Sequence, residues 1–271
     1  MKAILFHVQD DDTLQNGLEN AQAIARATDG HLHCLHAVPS SAYVTGGGLG
    51  DDLSSDKVAD HLENIAASLR KQVEDDLANE GIGYDYQHVE GDVADAITMH
   101  SSLCDLIVTS RQHPRGRKRE RAVSRLGEIL HRTRTPIFIP GDNGAEIDVG
   151  GTAIIGWDGT KQAANAVRQT VPILKLAGEV RAVRVKQKED RFPDTRLLEY
   201  LSFHGIKAEL HVETMKEKDM ISPILFGHAE EADRPYIVMG AYSRSRLDEY
   251  LFGGVTRTIL KGAPVGVFLA H

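Results

Sequence analysis

The sequence predicts an α/β protein of two tandem, doubly wound, five-stranded parallel-sheet domains, and three observations predict it. First, 271 residues exceed the roughly 100 to 200 of one domain, and 41% hydrophobic with 26% charged residues suits a folded core. Second, short β-like runs occur twice: AILFHV (3–8) with AIIGWD (153–158), DLIVTS (105–110) with PYIVMG (235–240), and EILHRTRTPIFIP (128–140) with TILKGAPVGVFLA (258–270). The offsets shrink from 150 to 130 and 128, so the second copy lacks about 20 residues in its middle. Third, strands alternate strictly with helical patterns, the signature of a parallel sheet covered on both faces.

In copy one the strands are expected at 2–8, 31–38, 83–89, 104–109 and 136–140. Leu14, Leu18, Ala21 and Ala25 mark the first helix, and Val58, Leu62, Ile65, Leu69 and Val73 mark a long second one behind the glycine loop Gly46–Gly50. In copy two the strands are expected at 151–157, 179–185, 207–213, 235–239 and 265–269. Pro172 falls inside the first helix of copy two and should kink it. The turn-rich segment Pro140–Gly151 divides the copies, giving Rossmann-like domains 1–143 and 150–271.

Composition narrows the function. The longest apolar stretches are far short of the ~20 residues that cross a bilayer, so no membrane association is expected. Met1–Val8 reads as a strand and not as a signal peptide, which makes the cytoplasm the expected compartment. Cys34 and Cys104 are too few and too far apart for a disulfide framework. The net charge of −8 hides a partition: residues 1–110 carry −14, residues 111–134 carry +7, and residues 135–271 carry −1.

The chemistry concentrates in Gly240–Leu260, GAYSRSRLDEYLFGGVTRTIL, which leaves the fourth strand of copy two and enters a helix bearing Phe252, Val255 and Ile259 on one face. Open α/β sheets bind ligands outside the carboxyl ends of their strands, where the strand order reverses. A glycine-containing loop there, leading into a helix N-terminus, offers backbone N–H groups and a positive dipole to a phosphate. Gly240, Gly253 and Gly254 allow close backbone approach, and Arg244 and Arg246 supply charge.

These residues resemble the universal stress protein family, whose ATP-binding members carry G-x2-G-x9-G-[ST] after strand four and an Asp at the end of strand one. Gly240 and Gly253 match the first and third glycines, Ser243 and Gly254 replace the second glycine and the Ser or Thr, and Asp158 matches the Asp. The resemblance spans both copies and implies a fold of the nucleotide-binding α-hydrolase-like kind. It implies that Gly156, Trp157 and Asp158 border the adenosine with Val185 near the base. It also implies that Met239, Gly240, Ser243 and Arg244 line the nucleotide and that Gly253, Gly254, Val255 and Thr256 face the phosphates. The implied ligand is ATP, with AMP and ADP as relatives and with or without Mg2+. Ser243 and Gly254 each cost about 1 kcal/mol, which weakens affinity roughly tenfold to thirtyfold without abolishing it. In copy one Gln9 stands for the Asp, Ser110 and His113 for the first two glycines, and Val123-Ser124 for the last pair, so no nucleotide is expected there in the family's manner. The resemblance further implies that the fifth strands join the copies as an internal pseudo-dimer, with homodimerisation open.

Other features read more plainly. The basic run Arg115–Arg121, in the loop 111–121, either contacts an acidic protein partner or is a solvated segment balancing an acidic domain. Nucleic acid is disfavoured because no aromatic residues for base stacking lie nearby. In HLHCLH, His31 and His33 share one strand face while Cys34 and His36 share the other, so four ligands cannot converge from this strand and no metal site is assigned. Trp157 either meets the base or packs at a strand end. No Walker phosphate loop, H-E-x-x-H pair or G-x-S-x-G elbow is present, and no catalytic residue is assigned. Three classes stay open: a nucleotide-binding stress-response protein, a nucleotide-free interaction module using the basic loop, and an ATPase, which lacks an evident general base.

Overall fold

The computed structural model describes residues 1–39, 55–111, 117–186, 195–214, 221–242 and 254–271. The first half runs β1 (Ala3–Val8), α1 (Leu14–Thr28), β2 (His31–Val38), α2 (Ser55–Leu77), β3 (Gly83–Glu90), α3 (Val93–His100), β4 (Leu106–Val108), α4 (Arg117–Arg132) and β5 (Ile137–Ile139). The second half repeats the order as β6 (Thr152–Gly156), α5 (Lys161–Leu174), β7 (Glu179–Lys186), α6 (Thr195–Phe203), β8 (Glu209–Thr214), α7 (Ile221–Glu230), β9 (Tyr236–Gly240), α8 (Gly254–Lys261) and β10 (Val267–Ala270). The expected deletion lies in the second crossover: 44 residues separate β2 from β3, but 22 separate β7 from β8. α2 is correspondingly 23 residues long and α6 nine.

All ten strands form one sheet in the order β3-β2-β1-β4-β5-β10-β9-β6-β7-β8. Pairing is parallel within each half and antiparallel only at the junction, where Phe268 of β10 lies opposite Phe138 of β5. The fifth strands therefore join the halves as an internal pseudo-dimer. Their phenyl rings stand 4.7 Å apart, and Gly266 leaves room for them, since a Cβ there would lie 2.6 Å from the Phe138 ring.

Apolar residues cover both sheet faces, as buried parallel strands require. One face packs Phe6, Leu32, Ile155 and Val238 against α1, α2, α5 and α6; the other packs Leu5, Leu35, Ile154 and Ile237 against α3, α4, α7 and α8. Leu14, Leu18, Ala21 and Ala25 are all buried on α1, and Leu69 and Val73 on α2. Pro172 lies in the final turn of α5, which ends two residues later at Leu174. Cys104, expected at the start of the fourth strand, instead sits in the turn after α3, where its N–H donates to the Ser101 carbonyl at 3.0 Å.

The connection between the halves is packed down. Ile147 N donates to Asn20 Oδ1 on α1 at 2.9 Å, and Tyr236 Oη donates to the Val149 carbonyl at 3.3 Å. Among the described residues, no helix is long and apolar enough to cross a membrane.

Candidate nucleotide site

In each half the chain leaves its first strand, builds the sheet outward on one side, then returns to the other side of that strand. The reversal falls between β1 and β4 in the first half and between β6 and β9 in the second. These are the places where an open α/β sheet holds a ligand.

In the second half the mouth is bordered by Gly156, Trp157 and Asp158 after β6 and by Met239 and Gly240 at the end of β9. Asp158 is exposed and shapes the turn: its Oδ1 accepts from Thr160 N at 3.0 Å and from Thr160 Oγ1 at 2.6 Å, and Thr160 caps α5. Trp157 is buried in the cluster that holds Ala163 and Val167, which makes packing its main role. Met239 is buried beneath Gly156, and Val185 is half-buried at the end of β7. A Cβ on Gly156 would stand 3.3 Å from both Leu225 Cδ1 and Met239 Cβ.

Gly240 serves a different need from the one its motif position suggests. A Cβ there would lie 2.4 Å from Ala163 N, so the missing side chain lets α5 meet the end of β9. The first half solves the same problem from the helix side: Ser110 occupies the strand end, and Gly17 of α1 makes way for it, since a Cβ on Gly17 would sit 2.7 Å from Ser110 Oγ.

Beyond Gly240 the backbone turns left-handed at Tyr242, with φ of 59°. Ser243, Arg244, Arg246, Phe252 and Gly253 lie outside the described residues, as do Arg115, His113 and the Gly46–Gly50 loop. On the far side, the described part of α8 begins at Gly254, where a Cβ would meet no atom of the described residues within 4 Å. Val255 is half-buried, and Thr256 is buried with Oγ1 accepting from Tyr242 N at 3.3 Å. Thr256 therefore ties the loop's two ends together.

The first half is closed at the equivalent place. By strand register Gln9 occupies the position of Asp158, and its Oε1 accepts from Ser110 N at 2.9 Å and Thr109 Oγ1 at 3.4 Å. His7 Nδ1 pairs with Thr109 Oγ1 at 3.0 Å. The space left among His7, Gln9, Ser110 and Arg125 is about 10 Å³, room for one water. The turn carboxylate reappears two residues on: Asp11 Oδ1 accepts from Thr13 N and Oγ1 at 2.9 and 2.5 Å, as Asp158 does from Thr160. Backbone changes more. Ser124, the counterpart of Gly254, lies inside α4, which begins at Arg117. Its N–H is thus within a helix instead of at a helix start.

Two expectations about the basic segment are corrected. Arg117–Arg121 is the start of α4 and not a loop. Arg111, counted with the basic run, is buried and cross-links the halves: Nε donates to Asp142 Oδ1 at 3.0 Å, and its terminal nitrogens donate to the carbonyls of Pro140, Ile259 and Ala263. Five donors in a planar fork suit it to collecting several oxygens at once. Tyr242 crosses the same junction, donating its hydroxyl to the Gly127 carbonyl of α4 at 3.0 Å.

Tandem doubly wound halves joined through paired fifth strands define the class. A universal stress protein family model matches residues 1–139, and the chain belongs to that family. Among solved structures it is similar over 99% of its length to a universal stress protein from Archaeoglobus fulgidus DSM 4304, with 96% of that chain covered, 17% identity and a TM-score of 0.74. A putative universal stress protein from Pseudomonas aeruginosa UCBPP-PA14 matches over 100% of this chain and 93% of its own, at 17% identity and a TM-score of 0.61. No curated protein sequence matches the chain.

Proposed function

We propose that the protein is a nucleotide-responsive binding protein that holds ATP, or AMP or ADP in its place, in its second half as a regulatory ligand, while the first half holds none. The observation that carries this reading is the contrast between two equivalent helix positions. The described part of α8 begins at Gly254, where a Cβ would meet no atom of the described residues within 4 Å, whereas Ser124 lies well inside α4. A helix start has free N–H groups and partial positive charge for a phosphate; a helix interior has neither. The preference for adenine rests on the resemblance carried by Asp158, Gly240 and Gly253. Any Mg2+ would accompany the triphosphate. The reading takes the domains as 1–143 and 150–271 and the cytoplasm as the place of action. Tyr242 and Thr256 supply a route for response, because they connect the loop at the mouth to α8 and to α4 of the other half.

Gly254→Asp tests the reading, since a Cβ there would meet no atom of the described residues within 4 Å. A carboxylate at a helix start stabilises the helix but repels phosphate. Trp157, the only tryptophan, adjoins Asp158 and reports on the mouth. Millimolar ATP is expected to change its fluorescence in the wild type and to leave Gly254→Asp silent, with the variant's melting temperature equal or higher. An equal response in both proteins would refute the assignment; a silent wild type would favour the nucleotide-free interaction module.

A further inference from the structure

The edge of the first half's sheet holds a second cluster of reactive side chains, remote from the mouth between β1 and β4. Alternation along β2 puts His31 and His33 on the face covered by α3 and α4, with Leu35. β3 supplies what one strand could not: register sets Asp85 opposite His33 and Gly83 opposite His31. Asp85 Oδ2 lies 2.6 Å from His33 Nδ1 and 3.0 Å from His31 Nε2, and one donor atom from each of the three residues falls within 4.8 Å of the others. Among the described residues this is the group with metal-ligating spacing.

We propose that His31, His33 and Asp85 bind one divalent transition-metal ion of the zinc class. Two imidazoles and a carboxylate form the donor set that such ions take, at about 2.0–2.2 Å each. Around a common ion at those lengths, neighbouring donors stand about 3–3.5 Å apart, close to the two carboxylate separations already present. The remaining adjustment is between the imidazoles, whose ring centroids are 4.9 Å apart. All three side chains are roughly two-fifths exposed and free to turn. Each neutral ring presents a lone pair to the ion by carrying its proton on the far nitrogen.

Two further observations fit a built site. A Cβ at position 83 would stand 2.7 Å from His31 Nδ1, so glycine there clears the place that the His31 ring occupies. His33 and Asp85 also open into a cleft of about 210 Å³ lined by Leu103, His100 and Cys104, which leaves room for water or a small anion on the ion's open side. The net charge of −14 over residues 1–110 favours cation capture.

The test is a titration of the untagged full chain with Co2+, followed by displacement with Zn2+. The expected result is one ion per chain with visible ligand-field absorption. His33→Gln keeps an N–H donor for Asp85 but removes the imidazole, and Asp85→Asn removes the charge. Each variant, shown to be folded by circular dichroism, should lose at least about tenfold in affinity, and either folded variant suffices. His88→Ala, on β3 but stacked on His36, should bind as the wild type does. Absence of stoichiometric binding, unchanged affinity in the folded variants, or loss confined to His88→Ala would overturn the proposal.

Discussion

Burial of His7 makes a single residue a source of acid sensitivity. Desolvation, with repulsion from Arg125 and His36, pushes its ring down to about 3, and burial pushes His36 down to about 4. In the unfolded chain both rings protonate near pH 6.5. The unfolded state therefore takes up protons first as pH falls, so stability is full above about 6.5 and drains away toward 4. Between pH 6 and pH 5 the wild type should lose about 1 kcal/mol more than His7→Leu in urea unfolding. Equal losses would mean that the ring is not held neutral. At this scale the sequence was hardest to read. Arg111 belongs by position to a basic run, yet its guanidinium is buried among the Pro140 carbonyl of its own half and the Ile259 and Ala263 carbonyls of the other, a contact separated by up to 152 residues. No local pattern carries such information.

Elements were far more legible than side-chain roles. Short apolar runs alternating with helical patterns located the ten described strands to within a few residues, because the inner strands, buried on both faces, leave continuous apolar runs. Gly240 shows where motif reasoning stops. Its place in the pattern suggested access for a ligand, but Ala163 N fills the space that a side chain would need. Gly240→Val should therefore displace α5 from β9 and destabilise the protein by about 2 kcal/mol, seen as a lowered melting temperature without any nucleotide present. A wild-type melting temperature would show that the helix can yield there. The extension of α4 to Arg117 was illegible for a related reason: Arg and Lys tolerate helix and loop alike, and tertiary context decides.

For the whole molecule, duplication and divergence are the organising facts. One sheet runs through both halves, locked by the β5–β10 pairing and by the bonds that Arg111 donates to the Ile259 and Ala263 carbonyls. Parallel order within each half creates two equivalent mouths, bordered by different residues: Gln9 and Ser110 in the first half, Asp158 and Gly240 in the second. The repeated strands made the duplication readable. The third donor of the metal cluster was not, since Asp85 meets His31 and His33 only through strand pairing. Isothermal titration calorimetry of the full chain with ATP tests the central claim most directly. The account predicts one site per chain in the wild type and none in Gly254→Asp. Two sites per chain, or one site that survives in Gly254→Asp, would contradict it.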